Sequence, residues 1–234
     1  MTEPSTGRPE ALVTGASSGI GAATCRRLRA GGWRVVGVAR RPSPEADLGL
    51  EIDVTCFQAL VEAFRDIPRL RLLVHGAATV NPVASFAESD PTEWQRAVEV
   101  NLVGTYNVLR AALGSPFRRN GGIAIHLTSG AASRAKPYWS AYSASKAGAE
   151  HLVRSVAADV TDADWGVCAL DPGITETPMQ EQVRGLDFPD RDRFVRTHEA
   201  GEGRSPEEVA AAICELAARE PREVNGRTFR VGAL

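Results

Sequence analysis

Short apolar runs alternate with longer amphipathic stretches along the whole chain. Ala11–Gly15, Trp33–Ala39, Leu50–Val54, Arg71–Ala78, Gly122–Ser129, Gly166–Leu170 and Gly226–Val231 read as strands, each apolar or β-branched and bounded by breakers. Between them lie helical patterns. Gly19–Ala30 places Ile20, Ala23, Thr24, Arg27 and Leu28 in helical rows and stops at Gly31-Gly32. Thr55 is expected to cap a helix running to about Asp66. Asp90-Pro91-Thr92-Glu93 carries a helix-start signature, and that helix is expected to reach about Leu113. Tyr142–Ala158 is a long Ala/Val/Ser-rich helix, and Ser205-Pro206-Glu207-Glu208 opens another to about Arg219. The stretch 174–204 shows no clear period, and Arg41–Asp53 is too short for a full helix between strands two and three.

Strand–helix alternation predicts an α/β fold: a single doubly wound parallel sheet of about seven strands with helices on both faces. Strands covered on both faces should be continuously apolar, as these are. Residues 1–10 are polar and expected to form a flexible tail; residues 11–234 form a single domain. In such sheets ligands bind at the carboxyl ends of the strands, so the residues following each strand carry the functional information.

The chain has 234 residues, enough for a full core without disulfides or metal. Lys+Arg (27) and Asp+Glu (29) nearly balance, which argues against nucleic-acid or anionic-membrane partners. No run approaches 18 apolar residues, and residues 1–10 lack the charge-then-apolar order of a signal peptide. Cys25, Cys56, Cys168 and Cys214 form no C-x-x-C pair and stand at no zinc-ligand spacing. The expected reading is reduced thiols in a cytoplasmic protein without a metal.

Thr14-Gly15-Ala16-Ser17-Ser18-Gly19-Ile20-Gly21 joins the first strand to the first helix. Glycines permit a tight turn and close backbone approach, and the helix start offers free N–H groups to a pyrophosphate. The spacing G-x-x-x-G-x-G differs from the commoner G-x-G-x-x-G. The alternative is a structural turn without a ligand.

This turn resembles the cofactor turn of the classical short-chain dehydrogenase/reductase family, a Rossmann-fold group. The resemblance continues in Tyr142-Ser143-Ala144-Ser145-Lys146 (the family's Y-x-x-x-K), in Ser129 thirteen positions upstream, in Asn101 within Val100–Gly104, and in Pro172–Met179 (P-G-x-x-x-T-x-M). It implies a nicotinamide-dependent oxidoreductase. Tyr142 would exchange a proton with the substrate oxygen, Ser129 would hold that oxygen, Lys146 would bind the cofactor ribose, and Asn101 would fix a proton-relay water. Tyr142 and Lys146 share a helix face. A nearby ammonium is expected to draw the phenol down from its usual value near 10 toward working pH.

By the same resemblance Gly15, Ser17, Ser18, Gly19, Ile20, Gly21, Asp53, Val54, Ala77, Pro172, Gly173, Ile174, Thr175 and Thr177 would contact cofactor, with Asp53 at the adenine amino group. The acid that holds an NAD ribose is absent after Val38-Ala39; Arg40 and Arg41 stand there. Guanidinium matches a 2′-phosphate in charge and geometry, so NADP(H) is expected over NAD(H).

The chain departs from the family at the fourth strand, where His75-Gly76-Ala77-Ala78 replaces N-N-A-G; His75 is expected to be a buried, neutral brace. Around Thr128–Ala132, Trp139–Tyr142 and Pro172–Gln180, with Phe188, Arg193-Phe194 and Arg204-Ser205-Pro206 downstream, the sequence is similar to the sepiapterin-reductase-like and benzil-reductase-like carbonyl reductases, implying a ketone or vicinal-dicarbonyl substrate. An NAD-linked alcohol or dihydrodiol dehydrogenase and a non-catalytic NADP sensor stay open as alternatives. Ala131, Trp139 and Met179 are expected in the substrate pocket, beneath a lid at about 174–204. The family's habit of pairing through helices near 90–113 and 142–158 implies a homodimer or homotetramer.

Overall fold

The computed structural model describes residues 7–65, 67–114, 121–160 and 164–234. Seven parallel strands form one sheet: β1 (Glu10–Thr14), β2 (Arg34–Ala39), β3 (Leu48–Glu51), β4 (Leu70–His75), β5 (Gly122–Leu127), β6 (Trp165–Asp171) and β7 (Thr228–Arg230). Their order is β3-β2-β1-β4-β5-β6-β7. Winding reverses between β1 and β4, which opens a crevice at their carboxyl ends.

Period-two alternation divides the sheet into two cores. Ala11 and Val13 face α1 (Gly19–Ala30) and α8 (Pro206–Ala217), packing with Cys25, Leu28, Val209 and Ile213. Leu12, Val36 and Val38 face the other way. They meet Leu60 and Phe64 of α2 (Phe57–Arg65), Val108 and Leu109 of α4 (Gly104–Leu113), and Val153 and Ala157 of α5 (Ser140–Asp159). Both faces are thus covered, which is why the central strands are largely apolar.

Several boundaries differ from expectation for local chemical reasons. The first strand begins at Glu10, inside the stretch expected as tail, because its buried carboxylate pairs with Arg34 at 2.7 Å and accepts the Arg69 N–H at 2.7 Å. Residues 1–6 lie outside the described residues. β3 spans Leu48–Glu51 rather than 50–54; Asp53 instead folds back to accept from the Thr55 N–H and hydroxyl, so Thr55 does not cap α2. The expected helix end at Asp66 lies outside the described residues.

The helix from Asp90 is capped as expected: the Asp90 side chain accepts from the Thr92 and Glu93 N–H groups. However, α3 (Pro91–Val98) passes into α4 through a π-helical turn, Glu99–Val103, which holds Asn101. Such turns recur at functional sites. The aperiodic stretch 174–204 contains α6 (Pro178–Gly185) and α7 (Arg191–Glu199), followed by an exposed turn into α8. A short α9 (Pro221–Val224) precedes β7. Among the described residues no helix is long and apolar enough to cross a membrane.

Candidate active site

One cleft of about 520 Å³ runs along the carboxyl ends of the strands. At its centre lies the Thr14–Gly21 turn. Gly15 has φ +72°, and a Cβ there would lie 2.9 Å from the Ala77 backbone nitrogen. A Cβ on Gly21 would lie 2.2 Å from the Gly15 carbonyl oxygen. The first turn of α1 therefore packs directly on the loop, with the bare backbone of both segments in contact. Ser18 sits extended at the helix start, its side chain caps no N–H group, and the first turn carries no acid. The free N–H groups and positive dipole end suit an anionic group.

Gly15, Ser17, Ser18, Gly19, Ile20 and Gly21 all line this cleft, as do Arg40 and Arg41 past β2, Asp53 and Val54 past β3, Ala77 past β4, and Pro172, Gly173, Ile174, Thr175 and Thr177 past β6. Arg40 and Arg41 are exposed and form no ion pair among the described residues. Asp53 lines the cleft with both carboxylate oxygens engaged: one by Thr55, the other by Arg96 at 2.7 Å. Burial works against its charge, but the Thr55 bonds and the Arg96 and Arg40 guanidiniums outweigh it and hold the carboxyl below the usual range.

Ser129, Tyr142 and Lys146 line the same cleft. β5 delivers Ser129 just past its carboxyl end. The first two turns of α5 place Tyr142 and Lys146 on one face. Lys146 Nζ donates to the Leu127 carbonyl at 2.7 Å and lies 5.9 Å from the centre of the Tyr142 ring. Ser129 Oγ accepts the Ala131 N–H at 3.2 Å.

The electrostatics of this set correct the expectation for Tyr142. Burial pushes its phenol up to about 12; the Ser129 hydroxyl opposes that rise and the Asp171 carboxylate adds to it. Burial likewise lowers the Lys146 ammonium to about 8. Desolvation disfavours the charged form of each group, and the Lys146 charge is directed at the Leu127 carbonyl rather than at the phenol oxygen. The protein alone therefore holds Tyr142 as a neutral phenol.

Asn101 does not line the cleft. Its Oδ1 accepts the Thr79 N–H at 2.8 Å, and its Nδ2 donates to the Thr79 carbonyl at 2.9 Å and Ser145 Oγ at 3.0 Å. These bonds tie the π turn to the chain after β4 and to α5, between Tyr142 and Lys146 in sequence. Ala131, expected in the pocket wall, is buried in an aromatic cluster behind it. Trp139 and Met179 do line the cleft. Trp139 stacks on Phe194 (5.5 Å, 12°) and meets Tyr142 edge-on (5.6 Å). Phe194 comes from α7, so the stretch 174–204 supplies one face of the pocket.

His75 is fully buried between Thr14 Oγ1 (2.7 Å) and Thr105 Oγ1 (3.1 Å), stacked on His126 at 5.4 Å. Burial, with the nearby Lys146 charge, lowers it to about 3, so it is the neutral brace expected.

The structure adds pocket residues that the sequence reading passed over: Lys136, Arg134 and Asp171. None has a motif, and each reads in sequence as an ordinary surface charge. The α6 start was legible, since Thr177-Pro178 is a cap followed by proline at the first helical position.

A parallel sheet wound 3-2-1-4, with a glycine turn at the reversal and a Ser–Tyr–Lys set beside it, defines a dinucleotide-dependent oxidoreductase. The short chain dehydrogenase family model matches residues 9–185. The chain belongs to the short-chain dehydrogenase/reductase family and is a nicotinamide-dependent oxidoreductase. It is 34% identical to cis-4-hydroxycyclohexanecarboxylate dehydrogenase of Sinomonas cyclohexanicum (96% of this chain, 92% of that one). It is 28% identical to the (S)-benzoin-forming benzil reductase of Bacillus subtilis (94% and 97%). Among solved structures it is similar to the KRED1-Pglu enzyme (TM-score 0.86, 27% identity, 94% and 99% covered). A variant actinorhodin polyketide ketoreductase with NADPH is also similar (TM-score 0.84, 27%, 96% and 95%).

Proposed function

We propose that the protein reduces a ketone or vicinal dicarbonyl to an alcohol and prefers NADPH to NADH. The observation that carries this reading is the cleft itself: Ser129, Tyr142 and Lys146 line it together, and two unpaired arginines line it past β2. The bare-backbone cradle at Gly15 and Gly21 fits a pyrophosphate, since any side chain there would meet backbone atoms. Arg40 and Arg41 would hold a 2′-phosphate, Asp53 and Val54 would flank the adenine, and Ala77 would pass beneath the ribose. Thr175 and Thr177, with Pro172, Gly173 and Ile174, would line the nicotinamide side. The bound cofactor supplies the hydride.

The chain's own part is to hold the substrate oxygen between Ser129 and Tyr142 and to protonate it from the phenol. A phenol held at about 12 is protonated at neutral pH, the form that reduction needs. Lys146 would position the ribose. Asn101 acts at one remove, by fixing the π turn against Thr79 and Ser145. The lid would be α6 and α7, closing Met179 and Phe194 over the substrate and excluding water. The names of the benzil reductase and ketoreductase relatives support reduction; that of the hydroxycyclohexanecarboxylate dehydrogenase supports the reverse direction, alcohol oxidation. We further infer a cytoplasmic homodimer or homotetramer, in keeping with the free cysteines and with Val103 and Tyr106 exposed near the π turn.

The test is turnover of a panel containing benzil, other vicinal diketones and an oxocyclohexanecarboxylate, with NADPH and NADH in parallel. Reduction with NADPH well ahead of NADH is expected. Turnover with NADH alone would remove the phosphate assignment. Cofactor binding without any turnover would favour a sensor.

A further inference from the structure

We propose that the substrate carries a carboxylate, or an anion of the same geometry, and that Lys136 receives it. This deepens the reductase reading and rests on it for the position of the reacting carbonyl. Lys136 lies in the loop between Ser129 and α5, and it lines the cleft. Its Nζ stands 5.1 Å from the centre of the Trp139 ring and 5.3 Å from that of Phe194. Among the described residues it forms no ion pair, so its three N–H donors have ring faces but no anionic oxygen beside them.

The side chain is half-buried, so its ammonium is only partly hydrated. Charges around it come from several elements: Arg134 on its own loop, Arg193 and Asp190 from the start of α7, and Asp171 from the end of β6. Arg193 and Asp190 offset one another at 3.9 Å. Asp171 lies 3.7 Å from Arg230 and accepts the Gly173 N–H. What is left unpaired is cationic: Lys136 and Arg134. Burial and the Arg193 charge already draw the Lys136 ammonium below its ordinary value, and a bound carboxylate would reverse that.

Trp139 touches both Tyr142 and Lys136, which puts the ammonium about one ring away from the proton donor. A compact ring bearing a carbonyl on one side and a carboxylate on the other fits this spacing. Its apolar body would lie against Trp139, Met179 and Phe194.

The first arm is binding. Cyclohexanecarboxylate and cyclohexanecarboxamide are titrated calorimetrically into the NADPH-saturated protein. A charge-assisted contact of about 1.4 kcal/mol corresponds to tenfold, so the carboxylate should bind at least about tenfold tighter than the amide. Lys136→Met should erase the difference, and added salt should narrow it in the wild type. The wild-type comparison needs no variant, so it decides the matter even if Lys136→Met folds poorly. Equal affinity for acid and amide in the wild type would overturn the proposal.

The second arm is turnover of an oxocyclohexanecarboxylate against its methyl ester. The acid should have the higher kcat/KM, and Lys136→Met should lower that for the acid alone. An ester reduced as well as the acid would sink the anion site while leaving the reductase reading intact. Selective carboxylate binding with no ketone turnover would do the opposite.

Discussion

Thr14 Oγ1 lies 2.7 Å from His75 Nδ1, and the neighbours of that oxygen fix the direction of the bond. Thr14 Oγ1 already accepts the Gly76 and Ala77 N–H groups, both at 3.2 Å, so its own hydrogen goes to Nδ1. The network thereby assigns the imidazole proton to Nε2, which donates to Thr105 Oγ1; the Thr105 hydroxyl in turn donates to the Asn101 carbonyl at 2.6 Å. A chain of hydrogen bonds thus runs from the end of β1, through His75, to the π turn beside α5.

Replacing His75 should show what that chain contributes. His75→Leu leaves Thr14 and Thr105 facing an apolar group, at roughly 1–3 kcal/mol for each unsatisfied partner. His75→Asn retains one acceptor and one donor and should recover most of the loss. Urea unfolding of the three proteins checks this; a leucine variant as stable as wild type would refute the bracing role.

Acid should destabilise the protein below the ordinary histidine range. The folded pKa of His75 is about 3 and that of His126 is also depressed, both by burial, so the unfolded chain binds these protons first. Stability then falls as pH drops through about 6.5, the slope approaching about 1.4 kcal/mol per pH unit for each histidine, and the His75 share continues to be lost toward pH 3. Unfolding free energies at pH 7, 6 and 5 measure the slope. A flat profile in this window would show that neither imidazole is held neutral.

Tyr142→Phe should cut kcat by about 10²–10⁴, the usual share of a general acid, while the affinity for reduced cofactor stays within a few-fold. Stopped assays and fluorescence titration with NADPH separate the two. Substantial remaining turnover would remove Tyr142 from the proton path.

Removing Arg40 and Arg41 together should raise the KM for NADPH about 10–100-fold, the scale of a lost charge-assisted bond, and leave NADH nearly unchanged. Parallel kinetics with both cofactors decide it; equal losses for the two would place the arginines elsewhere than at the phosphate.

Gly21→Ala should be destabilising by about 1–3 kcal/mol and should also weaken cofactor binding. The added Cβ would sit 2.2 Å from the Gly15 oxygen, against backbone that cannot step aside without moving the turn. Gly185→Ala, in open space with nothing within 4 Å, is the control and should be tolerated. Thermal unfolding of both variants is the measurement.

Much of this molecule was readable from local pattern. Apolar runs and capping signals gave seven parallel strands, the Asp90 and Ser205 helix starts, and the glycine turn, because each depends on neighbours in the chain. The shared helix face of Tyr142 and Lys146 likewise follows from helix period, whereas their grouping with Ser129 came from the family resemblance. The sequence alone also placed two cations where an NAD-binding chain has an acid.

Contacts between distant segments were decided only by the tertiary structure. Burial, not proximity to Lys146, sets the Tyr142 phenol, since desolvation depends on what packs over the site. The π turn at Asn101 is held by Thr79 and Ser145, which no helical periodicity reveals. Ala131 falls behind the pocket wall and Lys136 comes forward over Trp139 and Phe194, because a loop's side-chain directions are fixed by the elements it meets. Local sequence selects strands, helices and turns through short-range sterics and hydrogen bonding. Which charges share a cleft depends on where the sheet brings those elements together.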